Sequence, residues 1–362
     1  EFLKTLLGAG CQQLPIVKHD TAQGSFLLNP LRKSRELADL AGVESLDDPR
    51  LVMAALWVVY EQQKSAFAEQ TNLQQVAQTM DFPLINVLAQ MEFRGIKIDA
   101  SKLEKMNKSL AQEIAAVQQN IYDMVGYEFN VASPAQLASA LFDKLLLPTT
   151  GIKKGKTGYS TNQKELDKLR GQHPIIELVE RFRELSKLQN TYVAALPEQT
   201  DANGYIHTTF NQDATATGRL SSTNPNLQNI PIRTELGRQI RDAFVPAPGN
   251  VFVNADYSQF ELRLAAVMAG EKQMIEDFNA DVDIHAKTAA EVYNVPINEV
   301  TPAQRRRAKV VNFGVLYGMS QHGLAAAANM SYGEAQHFID EYYRIRPRIK
   351  EFMERTIRQA HD

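Results

Sequence analysis

Cysteine is almost missing from this sequence, in which Cys11 is the only thiol among 362 residues. One cysteine can form neither an internal disulfide nor a zinc site with several thiolate ligands, and this usage is typical of a reducing compartment. Long apolar runs are missing too, since no stretch of about 18 consecutive apolar residues occurs. The first residues also lack the basic region and apolar core of a signal peptide. We therefore expect a soluble, cytoplasmic protein that has no membrane partner.

An excess of positive charge is lacking as well, because 39 Lys and Arg residues oppose 42 Asp and Glu residues and leave a net charge of -3. A domain dedicated to nucleic acid usually has a pI above about 9. Two local basic clusters stand out nonetheless, at residues 153–156 and 305–309. Each is either a phosphate-binding surface or ordinary solvated charge, and the net charge does not decide between these interpretations.

Helical periodicity dominates the chain, and 44% hydrophobic residues are ample for the cores of two or three domains. Helices are predicted over residues 49–69, 83–91 and 174–192, from Asp99 or Ser101 to about 124, from Ser133-Pro134, from about 259 and from Thr301-Pro302. Strands are predicted over residues 96–98, 204–210 and 251–255, and an exposed basic loop over 151–162. This pattern predicts an α+β protein that is predominantly helical.

A carboxylate follows the last of these predicted strands. Asp256 comes directly after the apolar run 251–255. A strand end holds a side chain rigidly, and such a position suits a metal ligand for phosphoryl transfer. An Asp in this place is also a common helix cap, so the local pattern leaves both interpretations open.

Four side chains recur at intervals of four residues along the helix predicted after Thr301. They are Arg305, Lys309, Phe313 and Tyr317, and this interval keeps neighbours on one slowly turning helix face. Two cations followed by two aromatics match the triphosphate, base and sugar of a nucleotide. An ordinary helix with a cationic start and an aromatic core stripe is the alternative. Cations near a helix start oppose the helix dipole, which favours the functional interpretation.

A polar, turn-rich segment spans residues 217–231 and contains Arg219, Gln228 and Asn229. Guanidinium and amide groups can hydrogen-bond base edges in a minor groove or a sugar–phosphate backbone. The alternative is an ordinary surface loop. The segment alone therefore does not establish a DNA contact.

In this order and together, the three motifs resemble those of the family A DNA polymerases, the bacterial DNA polymerase I type. Residues 256–263 are similar to the motif A of that family, and residues 305–318 have its motif B pattern, Arg-x3-Lys-x3-Phe-x3-Tyr-Gly. Residues 217–231 resemble its primer–template strip. The likeness extends over at least residues 83–359.

The resemblance implies a right-hand polymerase fold with a helical thumb, an antiparallel palm sheet that is incomplete in this chain, and helical fingers. Residues 1–73 are similar to the last part of a 3′–5′ exonuclease domain. The palm entry would then span 74–97, the thumb 98–200, the palm with motif A 201–269 and the fingers with motif B 270–362. Where that nuclease has its final Tyr-x3-Asp motif, residues 53–57 are Met-Ala-Ala-Leu-Trp. We therefore expect no proofreading.

The resemblance further implies template-directed addition of deoxynucleotides to a primer 3′ end by two-metal phosphoryl transfer. Asp256 would bind both Mg²⁺ ions, with the carbonyl of Tyr257 as a further ligand. Arg305 and Lys309 would contact the triphosphate, and Lys309 would also protonate the leaving pyrophosphate. The remaining nucleotide-binding residues implied by the resemblance are Gln259, Glu261, His285, Phe313 and Tyr317.

Two of these residues would set the sugar pocket, because Glu261 would lie beneath the sugar and hydrogen-bond to Tyr317. In the other motif, Arg219, Gln228 and Asn229 would hold primer–template DNA in its minor groove. Lys187 would contact the duplex backbone. The implied partners are primer–template DNA and deoxynucleoside triphosphates, and we expect a monomer.

One motif of the family is not found in the sequence. Motif C, a His-Asp-Glu turn that supplies the second metal-binding Asp, should lie far downstream of motif B, and His361-Asp362 follows a fingers-like helix instead. We therefore expect this chain alone to bind primer–template weakly and to extend it negligibly. A non-catalytic DNA-binding remnant and a single-subunit phage-type RNA polymerase are the alternatives. Glu261 argues against the RNA polymerase, since its bulk would collide with a ribose 2′-OH.

Overall fold

The computed structural model describes residues 2–156, 158–232 and 234–361. It divides the chain into two compact units, Glu1–Phe252 and Val253–Asp362. Each unit has its own hydrophobic core, in which amphipathic helices bury their apolar faces. The finer division into exonuclease-like, palm, thumb and fingers parts stays a prediction.

Helices make up most of the first unit. They are α1 (Phe2–Gly8), α2 (Thr21–Leu28), α3 (Leu37–Ala41), α4 (Pro49–Ala68), α5 (Thr71–Val76), α6 (Phe82–Arg94), α7 (Ala100–Val125), α8 (Pro134–Ala138), α9 (Gln163–Asp167), α10 (Ile175–Leu188), α11 (Ala195–Glu198) and α12 (Glu235–Asp242). Three π-helical turns, Ala77–Asp81, Ser139–Lys144 and Gln189–Val193, continue α5, α8 and α10. The predicted helices over 49–69, 83–91 and 174–192 are confirmed, the last with this π-helical end.

Local capping chemistry explains where two of these helices begin and end. The Asp99 carboxylate accepts from the backbone N–H of Ser101 at 3.1 Å and caps α7, as the sequence predicts. The same helix ends at Gly126, whose φ of 85° lies in the left-handed region that glycine adopts without strain. Ser133 caps α8, with Pro134 at its first position. These starts depend on a few neighbouring residues and were therefore predictable.

Short antiparallel strands complete the first unit. They are β1 (Ile96–Lys97), β2 (Lys154–Gly155), β3 (Gly158–Tyr159), β4 (Tyr205–Ile206), β5 (Thr209–Asn211) and β6 (Ser221–Thr223). β1 pairs with β4 with Ile96 opposite Ile206, and β5 pairs with β6 with Phe210 opposite Ser222. The single strand predicted over 204–210 is therefore two strands, because each part finds a different partner. The predicted basic loop over 151–162 contains the hairpin β2–β3.

The second unit consists of helices in the residues that the structure describes. They are α13 (Phe260–Ala269), α14 (Lys272–Asn279), α15 (Ile284–Tyr293), α16 (Pro302–Leu316), α17 (Gln321–Ala328), α18 (Tyr332–Ile345) and α19 (Pro347–His361), with a 3-10 turn at Ile297–Glu299. The start of α16 is confirmed, because Thr301 and Gln304 form a capping box around Pro302. His361 ends the helix α19, and Asp362 lies outside the described residues.

The strand predicted over residues 251–255 is wrong. These residues form neither helix nor strand, and the side chains of Val251 and Val253 are 80% and 85% exposed. A strand requires a neighbouring backbone to accept and donate its hydrogen bonds, and none is paired with this segment in the described structure. Asp256 therefore follows an exposed segment without regular secondary structure and not a strand end. Among the described helices, none combines the length and the apolar composition needed to cross a membrane.

Candidate active site

The helix α16 carries the repeating side chains that the sequence singles out. Arg305, Lys309 and Phe313 lie along it, and Tyr317 is its C-cap residue. Lys309 and Tyr317 are exposed and Phe313 is half-buried, whereas the apolar side of the helix is buried in the core of the second unit. The face is therefore accessible, and the aromatic pair is not simply a core stripe.

A carboxylate on the neighbouring helix holds the first of these cations. Asp283 is the N-cap of α15, where one oxygen accepts from the backbone N–H groups of His285 and Ala286 at 3.0 and 3.1 Å. Its other oxygen accepts from Nε of Arg305 at 2.6 Å. Burial alone would raise the pKa of Asp283, but the Arg305 hydrogen bond and the backbone N–H groups outweigh it and lower the pKa. Asp283 is thus an anion that fixes Arg305 toward α15.

His285 lies behind this ion pair and is only 2% exposed. Its Nδ1 is 2.9 Å from the Asn312 amide nitrogen, and its ring centroid is 5.8 Å from that of Phe313. Burial is the main reason that the pKa of His285 falls from its ordinary 6.5 to about 4. Asp283 opposes this shift, while Arg305 and Lys309 add to it. The structure therefore brings His285, Arg305, Lys309 and Phe313 together, with His285 neutral near pH 7.

The motif A residues lie in the same unit, around the start of α13. Asp256 and Tyr257 are exposed, and Gln259 adopts a left-handed backbone with φ of 53° immediately before the helix. Glu261 is on the first turn of α13 and half-buried. Its predicted hydrogen bond to Tyr317 stays a prediction.

A magnesium site needs several oxygen ligands, whereas Asp256 contributes one carboxylate. Carboxylate and carbonyl oxygens of the kind that Asp256 and Tyr257 provide are the ligands that Mg²⁺ takes. Within the described ranges, however, no group of three His, Cys, Asp or Glu residues is arranged to hold a metal ion. The described residues therefore do not form a complete two-metal site.

The predicted DNA-contacting residues lie in the first unit. Arg219, Gln228 and Asn229 are exposed along the segment 217–231, and Lys187 is exposed on α10. The hydroxyl of Tyr192 donates to the Asn229 carbonyl at 2.7 Å.

The backbone of this segment is also held from within the unit. The Thr208 and Ser222 hydroxyls are buried against each other at 2.6 Å. Each hydroxyl oxygen also lies within hydrogen-bonding distance of the Pro225 carbonyl, at 2.8 Å from Thr208 and at 3.2 Å from Ser222. The strip is therefore a positioned surface and not a loose loop.

Sequence reasoning missed Asp283, Asn312, Thr288 and Tyr192. Asp283 had a detectable signal, because an Asp directly before a helical pattern is a common N-cap. Asn312 had a weaker one, as a polar residue between Val311 and Phe313 in an apolar helix face. Thr288 and Tyr192 had no such signal. Their hydrogen-bond partners, Asn312 and Asn229, are 24 and 37 residues away in the chain.

The predominantly helical fold and the order of the three motifs place the chain in the polymerase class. The family model for DNA polymerase family A matches residues 100–362, so the chain belongs to this family and the resemblance of its motifs is confirmed. Curated relatives include a DNA polymerase I of Bacillus caldotenax, 48% identical over 284 residues that make up 78% of this chain and 32% of the relative. A DNA polymerase I of Caldicellulosiruptor bescii is 39% identical over 355 residues, 97% of this chain and 41% of that protein.

A solved structure supports the same assignment. The POL domain of Pol1 from M. smegmatis, in complex with DNA primer-template and dNTP, superposes with a TM-score of 0.87 at 36% identity. The match covers 98% of this chain and 64% of that one. The predicted polymerase fold, α+β and predominantly helical, is thereby confirmed. This chain spans about a third to two fifths of the length of the curated relatives that it matches.

Proposed function

We propose that this chain acts in template-directed DNA synthesis, in which deoxynucleotides are added to a primer 3′ end. The observation that carries the proposal is the cluster of Arg305, Lys309, His285 and Phe313 on two packed helices of one unit. In this cluster two cations and a neutral donor adjoin an aromatic ring. A deoxynucleoside triphosphate has the complementary charge and shape.

Arg305 and Lys309 have different surroundings, which suggests different roles in nucleotide binding and catalysis. Arg305 is held by Asp283 through Nε, which leaves its terminal nitrogens to donate to a phosphate. Lys309 is exposed one turn further along α16 and is not fixed by an ion pair in the described structure. A mobile ammonium can follow the charge that develops on a leaving pyrophosphate, so Lys309 is the better candidate for a proton donor.

We assign the primer–template to the first unit and the metal-binding role to Asp256. Arg219, Gln228 and Asn229 present donors from one positioned segment, which suits minor-groove contacts. When Mg²⁺ is bound, it would supply charge neutralisation at the reacting phosphate. Asp256 would provide one carboxylate ligand. We also propose, on the resemblance to the family, that the chain acts as a monomer.

The proposal is tested by trapping the nucleotide on a terminated primer. The chain is mixed with primer–template whose primer ends in a dideoxynucleotide, Mg²⁺ and the next complementary deoxynucleotide, and binding is followed by fluorescence anisotropy. Lys309→Ala and Arg305→Ala should each weaken nucleotide binding about tenfold or more, since a charge-assisted hydrogen bond is lost. Arg358→Ala, which removes an exposed cation of α19, is the matched control and should change binding less than twofold.

Two results would contradict the proposal. One is nucleotide binding that does not depend on the templating base. The other is an equal effect of Arg358→Ala and Lys309→Ala, because simple surface charge would then explain the affinity.

A further inference from the structure

We propose that Asn312 is a positioning residue for His285, whose imidazole it keeps in the neutral form that carries its proton on Nε2. This inference depends on the proposed function, because the Nε2–H group would donate to a phosphate oxygen of the bound nucleoside triphosphate. Asn312 itself would not touch the nucleotide. It would act through the histidine ring.

The burial of Asn312 is the first observation. Its side chain is 0% exposed, in the helix face that also buries Val311 and Val315. Buried polar side chains in proteins are almost always hydrogen-bonded, because an unsatisfied amide loses its hydration without compensation. An Asn in this position therefore needs partners, and the structure provides two on α15.

The hydrogen bonds of Asn312 form a chain with a direction. The hydroxyl of Thr288 donates to the amide oxygen of Asn312 at 3.3 Å, and both groups are buried. The amide nitrogen of Asn312 then donates to Nδ1 of His285 at 2.9 Å. A nitrogen that accepts this bond cannot carry a proton, so the proton of the neutral ring is on Nε2.

The charges around His285 favour the same neutral form. Arg305 and Lys309 on α16 repel a proton on the ring, and Asp283 at the start of α15 attracts one. Burial is the main cause of the shift, and together these effects lower the pKa of His285 to about 4. With two exposed cations already present, a neutral and directional donor can bind phosphate without adding a buried positive charge.

The aromatic neighbour fixes the remaining freedom of the ring. The Phe313 ring is tilted by 49° to that of His285, with 5.8 Å between the centroids. Asn312 and Phe313 are adjacent on α16, so one helix provides both the hydrogen bond to Nδ1 and the aromatic contact of the imidazole. These two contacts favour one tautomer of His285 in one ring orientation.

The tautomer is measured directly in the chain without nucleotide. Selectively ¹⁵N-labelled histidine distinguishes a protonated ring nitrogen from an accepting one, with the exposed His322 and His337 as reference signals. The wild-type chain should show His285 protonated on Nε2. In Asn312→Asp a carboxylate faces Nδ1, so Nδ1 should become protonated and the titration of His285 should move upward by a pH unit or more.

Two further variants separate positioning from folding. Thr288→Val keeps the shape but removes the hydroxyl that orients the amide, so it should give a mixture of the two tautomers. Thr288→Ser keeps the hydroxyl and should restore the wild-type spectrum. A wild-type spectrum with Nδ1–H, or a Thr288→Val spectrum identical to wild type, would overturn the inference.

Nucleotide titration then separates this inference from the proposed function. Asn312→Asp should bind nucleotide more weakly than wild type near pH 8, where Nε2 carries no proton, and should gain affinity toward pH 5 as His285 becomes doubly protonated. Arg358→Ala should follow the wild-type profile. If the ring proton is on Nε2 but nucleotide binding does not depend on His285, Asn312 positions the ring and the proposed phosphate contact is wrong. If neither Lys309→Ala nor Arg305→Ala affects binding, the proposed function itself fails.

Discussion

His285 and Asn312 are polar side chains buried between α15 and α16, and the protonation of His285 affects the stability of the second unit. The lowered pKa of His285 means that the folded protein resists a proton that the unfolded chain accepts. Asp283 has a lowered pKa of its own, since Arg305 and the backbone N–H groups stabilise its anion against the effect of burial. Both groups make the unit sensitive to acid, but over different ranges of pH.

Acidification should therefore destabilise the second unit in two steps. The His285 contribution is complete above its ordinary pKa of 6.5 and is lost as the pH falls toward about 4. This loss amounts to up to about 3 kcal/mol in the free energy of unfolding. The Asp283 contribution is lost only below its ordinary 3.8. Urea unfolding at pH 7, 6, 5 and 4.5, with hydrogen exchange of α15 peptides as the readout, measures the first step.

His285→Gln is the control for this prediction. Glutamine does not titrate, so the free energy of unfolding of the variant should change little between pH 7 and pH 4.5. A variant with the same acid sensitivity as wild type would show that other groups cause it.

At the scale of helices, a buried arginine connects three elements of the second unit. Arg346 follows α18 and is 1% exposed. Its Nη2 lies 2.8 Å from Glu291 on α15 and 3.9 Å from Asp277 on α14. The short contact is an ion pair by distance but lacks the angles of a hydrogen bond. The attraction therefore depends on charge, and removal of one partner leaves buried charge behind.

Arg346→Met should lower the free energy of unfolding of the second unit by about 3 to 5 kcal/mol. The double variant Arg346→Met with Glu291→Gln should recover part of this loss, because it also removes the Glu291 carboxylate, which would keep only the 3.6 Å ion pair of its other oxygen with Lys287. Urea unfolding followed by hydrogen exchange in α15 and α18 measures both. If the double variant is no more stable than the single one, the loss is due to packing and not to charge.

In the first unit, the tyrosine after α10 connects a helical element to the predicted DNA-contacting strip. Tyr192→Phe removes the hydroxyl that donates to the Asn229 carbonyl, at an expected cost of about 0.5 to 1.5 kcal/mol in stability. Because the strip loses an anchor, primer–template affinity should fall several-fold in fluorescence anisotropy at fixed salt. Tyr122→Phe removes an equivalent 2.7 Å bond to the Phe129 carbonyl and is the matched control. It should cost similar stability and leave DNA affinity unchanged.

At the scale of the whole molecule, the boundary between the two units falls within an exposed segment of the chain. Val251, Phe252 and Val253 are exposed in a stretch without helix or strand. Exposed, irregular backbone with apolar side chains is an efficient protease substrate. The segment also contains part of the run that precedes Asp256.

Limited digestion with thermolysin should therefore cut first within residues 250–254. Mass spectrometry should give two fragments that correspond to the two units. The variant with Val251, Phe252 and Val253 all changed to Asp removes the apolar sites and should slow this cut at least tenfold. First cleavage in the β2–β3 hairpin would contradict the prediction.

The sequence by itself determined those parts of the protein that depend on near neighbours. The starts of α7 at Asp99 and α16 at Thr301 were predictable, because a cap uses hydrogen bonds within about three residues. Helix positions followed from apolar spacing for the same reason. The family was determined too, since its motifs are local strings whose order is readable without a fold.

Only the tertiary structure decided which distant groups meet. Residues 251–255 have the composition of a strand, but a strand forms only where another backbone pairs with it. The contact of His285 with Asn312 spans 27 residues, and the bond from Tyr192 to Asn229 spans 37. Such polar pairs cost free energy unless both partners arrive together in the core, so they depend on how the helices pack and not on any local pattern.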